Sequence, residues 1–261
     1  MTQTHPVRQI DRLLEIMKRL RDPQSGCPWD VAQTPETIAP FAIEEAYEVM
    51  DAIARDDSDS LPDELGDLLL QVVFQAQMAE EKGQFDFETV AGKIADKMVR
   101  RHPNIFSDVE HDEDLWERTK ETERHAKAEY GALAGVAQHL PALVRAAKLC
   151  RRAARVGFDW DDASGVLEKV QEEIGELKAE LDGDRDRIED ELGDVLFTVA
   201  SLARKLGIDP EAALRRSNRK FTRRFEAMEA SLASEGKTMG EQNLETLETL
   251  WQTVKKQPGM R

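Results

Sequence analysis

The chain has 261 residues, of which 40% are hydrophobic and 34% are charged, and its formal net charge is −16 at pH 7. This balance indicates a folded, helix-rich protein with one large domain or two of ordinary size, and it excludes a disordered chain. The excess of acid also excludes general nucleic-acid binding, because a phosphate backbone repels such a chain.

Two cysteines that lie far apart in the sequence predict neither a disulfide framework nor a zinc site. The N-terminal residues lack the apolar core of a signal peptide, and the most apolar stretch is too short to span a bilayer. We therefore expect a cytoplasmic protein with no membrane association.

Hydrophobic spacing predicts helices along nearly the whole chain. Residues 7–20 carry apolar side chains at i, i+3, i+4 and i+7. Thr34 and Asp209, each followed by a proline, predict the N-caps of two helices over about 34–55 and 209–232. Because no segment alternates with the period of a strand, the predicted fold class is all-α.

Three motifs recur in one order along the chain. They are GCPWD at 26–30 and GFDWD at 157–161, EEAYE at 44–48 and EEIGE at 172–176, and DELGDLL at 63–69 and DELGDVL at 190–196. This order predicts an internal duplication, with tandem helical modules at 1–130 and 142–261. Glycines and a proline predict a linker between them, at 131–141.

Each copy carries two pairs of carboxylates, and the members of a pair lie three residues apart on one predicted helix. The pairs are Glu45 with Glu48, Glu64 with Asp67, Glu173 with Glu176, and Glu191 with Asp194. This spacing puts both side chains of a pair on one helix face. Antiparallel packing would gather four carboxylates in each copy, which favours a hard divalent cation such as Mg²⁺, with Mn²⁺ as a substitute.

The neighbours of these acids strengthen that interpretation. Asp67 and Asp194 lie within apolar runs, where an acid is paired, protonated or bound to metal. A single E-E-x-x-E or E-x-x-D motif is typical of a solvated helix face. Both motifs together, in the same order in two copies, indicate two metal sites.

Basic and aromatic residues also recur behind each acidic cluster. Lys and Arg lie four residues apart, as do Trp and Lys, in the pairs Lys97 and Arg101, Lys220 and Arg224, Trp116 and Lys120, and Trp251 and Lys255. Taken singly, such basic pairs are surface residues and such tryptophans are core anchors as often as stacking platforms. Their recurrence favours contacts with phosphate groups.

At these residues the sequence resembles the two-domain form of the MazG family of nucleoside triphosphate pyrophosphohydrolases. The E-E-x-x-E and E-x-x-D motifs of both copies match the family pattern, as do GCPWDVAQT at 26–34 and VGFDW at 156–160. The resemblance implies an all-α homodimer whose subunits complete each other's helical bundles. It also implies magnesium-dependent hydrolysis of NTPs and dNTPs to monophosphate and pyrophosphate, mainly in the C-terminal copy.

The resemblance further implies a substrate site and a mechanism. Residues at positions that the family uses around the substrate are Lys120, Lys220, Arg224, Trp251 and Lys255. The hypothesis is that a metal-activated water attacks the α-phosphorus, with Glu172 positioning or deprotonating that water. The developing charge would be screened by Lys220, Arg224 and Lys255.

Two alternatives have different sequence requirements. A di-iron carboxylate bundle needs E-x-x-H motifs, and none of the five histidines follows a glutamate by three residues. A non-catalytic interaction module with acidic faces needs only the acids, and it leaves the recurring Lys-x-x-x-Arg pairs unexplained.

Overall fold

The computed structural model describes residues 8–107 and 131–260, and every regular element in those ranges is a helix. The chain divides into two compact units, Met1–Glu121 and Thr122–Arg261. The predicted all-α class with two helical modules is therefore confirmed. In the described ranges, no helix is both long enough and apolar enough to cross a bilayer.

The first unit contains six described helices. They are α1 (Gln9–Leu20), α2 (Pro28–Ala32), α3 (Pro35–Ala54), α4 (Leu61–Glu81), α5 (Phe87–Arg101) and α6 (Pro103–Phe106). Thr34 caps α3 as predicted, because its hydroxyl accepts a hydrogen bond from the backbone N–H of Thr37 at 3.4 Å.

Helices α3 and α4 form an antiparallel pair that positions the first acidic motif. The side-chain amide of Gln75, late in α4, donates to the carbonyl of Pro35, at the start of α3, at 3.0 Å. Helix α1 packs against α4, and the buried side chains between the three helices form a core of Met17, Ile38, Val73, Phe74 and Met78.

Arg21 ties the end of α1 to the end of α4. Its guanidinium makes two hydrogen bonds of 2.7 Å to the carboxylate of Glu81 and lies 5.3 Å from the ring centre of Phe74. These bonds are the main cause that holds the pKa of Glu81 below its ordinary value. A bidentate pair of this kind fixes the relative orientation of two helices.

The second unit repeats the plan. Its helices are α7 (Ala142–Ala154), α8 (Ala163–Glu180), α9 (Arg185–Lys205), α10 (Pro210–Ser234) and α11 (Leu244–Lys255), with a short 3₁₀ turn at Met239–Glu241. Asp209 caps α10 as predicted and accepts from the N–H of Ala212 at 2.9 Å. Helices α8 and α9 pair closely, and α9 also packs against α7.

Small residues fill one side of the core of this second unit. The buried positions on α7 and on the second half of α9 are Ala146, Ala147, Cys150, Thr198, Ala200 and Ser201. Residues 131–141, predicted as a linker, contain turns and no helix, whereas the two units divide near residue 121. The exact module boundaries stay a prediction.

Candidate functional site

Three carboxylates of the first unit meet where α3 crosses α4. Glu45, Glu48 and Glu64 each offer one oxygen, and these oxygens lie within 4.8 Å of one another. Burial is the main cause that raises the pKa of Glu45, and the charges of Asp67 and Glu48 raise it further. The pKa of Glu64 rises for the same reasons, burial first and then the charge of Glu48.

Gln71 hydrogen-bonds one carboxylate of this cluster. Its side chain is 8% exposed, and its amide nitrogen donates to Glu45 Oε1 at 3.3 Å. Among the described residues, no group hydrogen-bonds the amide oxygen of Gln71. Sequence reasoning missed this residue, although Gln71 follows Asp67 by four positions and so shares its helix face.

The second cluster forms where α8 crosses α9. Oxygens of Glu173, Glu191 and Asp194 lie within 4.8 Å of one another, and Glu173 is only 6% exposed. Glu176 lies one turn from Glu173 on α8; burial is the main cause that raises its pKa, and the charges of Glu173 and Glu191 also raise it. All eight predicted acids thus belong to the two helix crossings, six of them in the tight sets.

Lys169 distinguishes the second cluster from the first. Its ammonium lies 2.7 Å from Glu172 and 2.9 Å from Glu173, and these hydrogen bonds raise the pKa of the lysine above its ordinary value. The corresponding position in the first copy is Phe41. Sequence reasoning missed Lys169 too; its signal is the i, i+4 spacing from Glu173.

The donor set fits a divalent cation. Oε2 of Glu191 is buried and, within the described ranges, has no hydrogen-bond partner, which is costly unless a cation or water satisfies it. Oxygens around an octahedral Mg²⁺ are at most about 4.2 Å apart, so small side-chain rotations would bring either set into range. All ligand atoms are carboxylate oxygens, which hard cations prefer.

The apolar runs around the two aspartates do not bury them. Asp67 and Asp194 are both exposed. The reason is that their apolar neighbours are themselves exposed: Leu65 and Leu69 by 49% and 39%, and Leu196 by 50%. The apolar runs therefore mark an uncovered helix face beside the acids.

Four of the predicted basic and aromatic residues lie on two helices of the second unit, Lys220 and Arg224 on α10 and Trp251 and Lys255 on α11. The guanidinium of Arg224 donates twice to the carbonyl of Met260, at 2.8 and 2.7 Å, and lies 5.6 Å from the ring centre of Trp251. Lys220 is half-buried and Lys255 is exposed. Lys120 and Trp116 lie outside the described residues.

Metal should stabilise the protein in a pH-dependent way. The pKa values of Glu45, Glu64 and Glu176 are raised, so these groups stabilise the fold while protonated. That stability is lost as the pH rises from the ordinary glutamate value of 4.5 through the raised values. In chelator, we therefore expect the melting temperature to fall across this window, and Mg²⁺ to reverse the fall.

The measurement is thermal unfolding with Mg²⁺ or chelator between pH 5 and pH 8. With the cation at about 100 times its Kd, the melting temperature at pH 8 should be about 5–10 °C higher in Mg²⁺ than in chelator, and this difference should narrow toward pH 5. The double variant Glu64→Gln, Glu191→Gln should abolish the difference, whereas Glu189→Gln, which changes an exposed acid of α9, should preserve it. A difference in melting temperature that stays constant from pH 5 to pH 8 would contradict the argument from the raised pKa values.

Comparison with known proteins identifies the family. The model of the MazG nucleotide pyrophosphohydrolase domain matches residues 33–106 and 162–228, which contain both clusters. The chain is 51% identical over 257 residues to a nucleoside triphosphate pyrophosphohydrolase of Escherichia coli, covering 95% of this chain and 98% of that protein.

Two further relatives extend the comparison. The chain is 41% identical over 247 residues to the nucleoside triphosphate pyrophosphohydrolase/pyrophosphatase MazG of Thermotoga maritima, with 94% and 95% coverage. It is 32% identical over 154 residues to a nucleoside triphosphate pyrophosphohydrolase of Mycolicibacterium smegmatis, covering 57% of this chain and 48% of that protein. With its two matched segments and its two clusters, the chain belongs to the MazG family of nucleotide pyrophosphohydrolases.

Proposed function

We propose that the protein hydrolyses NTPs and dNTPs to nucleoside monophosphate and pyrophosphate, with Mg²⁺ as cofactor. The observation that carries the proposal is the convergence of three carboxylate oxygens at each helix crossing. The names of the relatives from E. coli and T. maritima support the reaction. Bound Mg²⁺ would neutralise triphosphate charge and lower the pKa of a water.

The carboxylates of each crossing would hold the cation. In the second copy these are Glu173, Glu176, Glu191 and Asp194, and in the first copy Glu45, Glu48, Glu64 and Asp67. Glu173 and Glu191 would be the most rigid ligands, because Glu173 and the Oε2 atom of Glu191 are both buried and packing restricts these side chains. Gln71 orients Glu45 in the first copy through its hydrogen bond.

The hydrolytic step forms one bond and breaks one bond. The oxygen of water bonds to the α-phosphorus, the bond from that phosphorus to the bridging oxygen of the β-phosphate breaks, and pyrophosphate leaves with the electron pair. Glu172 would take the proton of the water. Its side chain is 58% exposed and already accepts from Lys169, so a substrate phosphate that draws Lys169 away would release this base.

Basic residues would screen the charge of the leaving group. We propose that Lys220 and Lys255 contact the phosphates, and that Arg224 joins them. Arg224 now bonds the carbonyl of Met260 and covers the ring of Trp251, so its part requires an exchange of partners. Lys120 is included in this group from the family pattern alone.

A homodimer is part of the proposal. The helices that carry the acids expose large apolar side chains. They are Phe41, Ile43, Tyr47, Met50, Ile53, Leu65, Leu69 and Val72 on α3 and α4, and Leu167, Ile174, Leu192, Leu196, Phe197 and Val199 on α8 and α9. An uncovered apolar face of this extent is costly in water. A second copy of the chain offers the matching surface under twofold symmetry.

The products of turnover test the reaction. The purified chain would be incubated with each NTP and dNTP, in Mg²⁺ and in chelator, and the products separated by ion-exchange chromatography. We expect monophosphate and pyrophosphate in equal amounts, and only with metal. Diphosphate and inorganic phosphate would place the attack at the γ-phosphorus. No turnover would favour a non-catalytic module that binds a basic partner through its acidic faces.

A further inference from the structure

The second unit contains a cavity that the proposed reaction does not use. Its volume is about 250 Å³, and it lies between α7, the GFDWD loop and the second half of α9. Its apolar wall is formed by Leu149, Cys150, Ala153, Phe158, Trp160 and Phe197. An engineered cavity of about 150 Å³ in another protein holds benzene, so this volume suits a ring system of two fused rings.

In the first unit, larger side chains fill two of the positions that correspond to the lining of this cavity. The DELGD motifs align residue 74 with residue 201, so that Phe74, 3% exposed, stands where the second copy has Ser201. A backbone hydrogen bond that follows the first helix of each copy, α1 and α7, gives a second alignment of the two copies. Cys27 N–H donates to the carbonyl of Leu20, and Phe158 N–H donates to that of Ala153.

This second alignment makes α1 of the first copy equivalent to α7 of the second. Counting back three residues from Leu20 and Ala153 aligns Met17 with Cys150. Met17 is 1% exposed in the first core, and Cys150, 8% exposed, borders the cavity. Two large core side chains of the first copy are thus replaced by two small ones on facing helices of the second, and both small residues line the cavity.

Two buried polar atoms of the cavity lining have no hydrogen-bond partner among the described residues. Ser201 is fully buried, and within residues 8–107 and 131–260 nothing hydrogen-bonds its hydroxyl or Nε of Arg204. A buried hydroxyl left in this way costs about 1–3 kcal/mol, which a simple packing role for Ser201 does not explain. The other end of the Arg204 guanidinium pairs with Asp159, which also accepts from Lys205 at 2.8 Å.

We propose that this cavity binds a planar heteroaromatic ring. Phe158, Trp160 and Phe197 provide flat apolar surfaces, which stack on ring faces. The hydroxyl of Ser201 and the N–H of Arg204 can both donate to ring nitrogens or a carbonyl. An all-hydrocarbon ligand would leave these two donors unsatisfied, whereas a heterocycle of purine size satisfies them.

The ring can come from two sources, a free heterocyclic compound or the base of a bound nucleotide. Ser201 follows Asp194 by seven residues, about 10.5 Å along α9 on the same face. That span lies within the reach of one nucleotide. The inference itself rests on the cavity and does not require turnover, so direct binding tests it separately from the proposed function.

The probes are adenine and indole, titrated calorimetrically into the full chain. We expect adenine to bind and indole, which offers no acceptor nitrogen, to bind at least tenfold more weakly. Ser201→Phe and Cys150→Met each introduce the residue at the aligned position of the first copy, and each should weaken adenine binding at least tenfold. Ser234→Phe makes the first change at the exposed end of α10 and should leave binding unchanged.

Steady-state kinetics then separates the two sources. If the nucleotide base occupies the cavity, adenine competes with ATP and Ser201→Phe raises KM with little change in kcat. If the ligand is a free heterocycle, adenine binding is lost in Ser201→Phe while KM for ATP stays the same. Either result supports the site. The proposal is overturned if adenine does not bind the parent chain, or if both cavity-filling variants bind it normally.

Discussion

Glu191→Gln should lower kcat for nucleotide hydrolysis by about 10²–10⁴, which corresponds to about 3–5 kcal/mol of lost transition-state stabilisation. The substitution keeps the size of the side chain and removes its charge. Glu191 contributes an oxygen to the second cluster, and its buried Oε2 has no partner among the described residues. A neutral amide at this position would weaken cation binding and place a donor where an acceptor is needed.

The duplication provides a matched control for this variant. Glu64 occupies the same position in the DELGD motif of the first copy. If the second copy carries most of the activity, Glu64→Gln should reduce kcat by less than about tenfold, and the double variant should resemble Glu191→Gln. Glu189→Gln should behave as the parent. Equal losses in the two single variants would mean that both crossings work, and no loss in any variant would refute the proposed site.

The sequence predicted the helices well because their signals are local. Thr34 and Asp209 each precede a proline and accept a hydrogen bond from the first turn of their helices, as expected for N-caps. The meeting of Glu45 with Glu64 was also predictable, because two i, i+3 pairs on consecutive helices converge in an antiparallel pair.

The features that were missed depend on packing between helices. Lys169 reaches Glu173 from a position one turn earlier, and no motif marked it. The exposure of Asp67 could not be read from the sequence, because an apolar run does not tell whether its partner surface lies within the same chain. The cavity beside Ser201 depends on which side chains of α7, α9 and the GFDWD loop come together, and no local sequence pattern reports that.

Leu196→Glu should convert the proposed homodimer into monomers. Leu196 is 50% exposed on α9, in the apolar face beside the second cluster. Covering the exposed half of one such leucine is worth about 0.8–1.5 kcal/mol, and twofold symmetry doubles the loss to about 1.5–3 kcal/mol. The dissociation constant should therefore rise by about 10–10², before the cost of burying a charge is added.

Light scattering coupled to size exclusion would follow this change. The parent chain should elute with twice the chain mass of 29.5 kDa, and Leu196→Glu with the single mass at micromolar concentration. Leu69→Glu tests the equivalent position in the first copy, which is 39% exposed. Leu244→Glu, at an 81% exposed leucine of α11, should stay dimeric because that residue lies outside the acidic helix pairs.

A monomeric parent chain, or a dimer that survives both substitutions on the apolar faces, would show that these faces do not hold two subunits together. If instead the monomeric variants also lose turnover while circular dichroism shows intact helices, the second subunit of the dimer completes the active site as well as the fold.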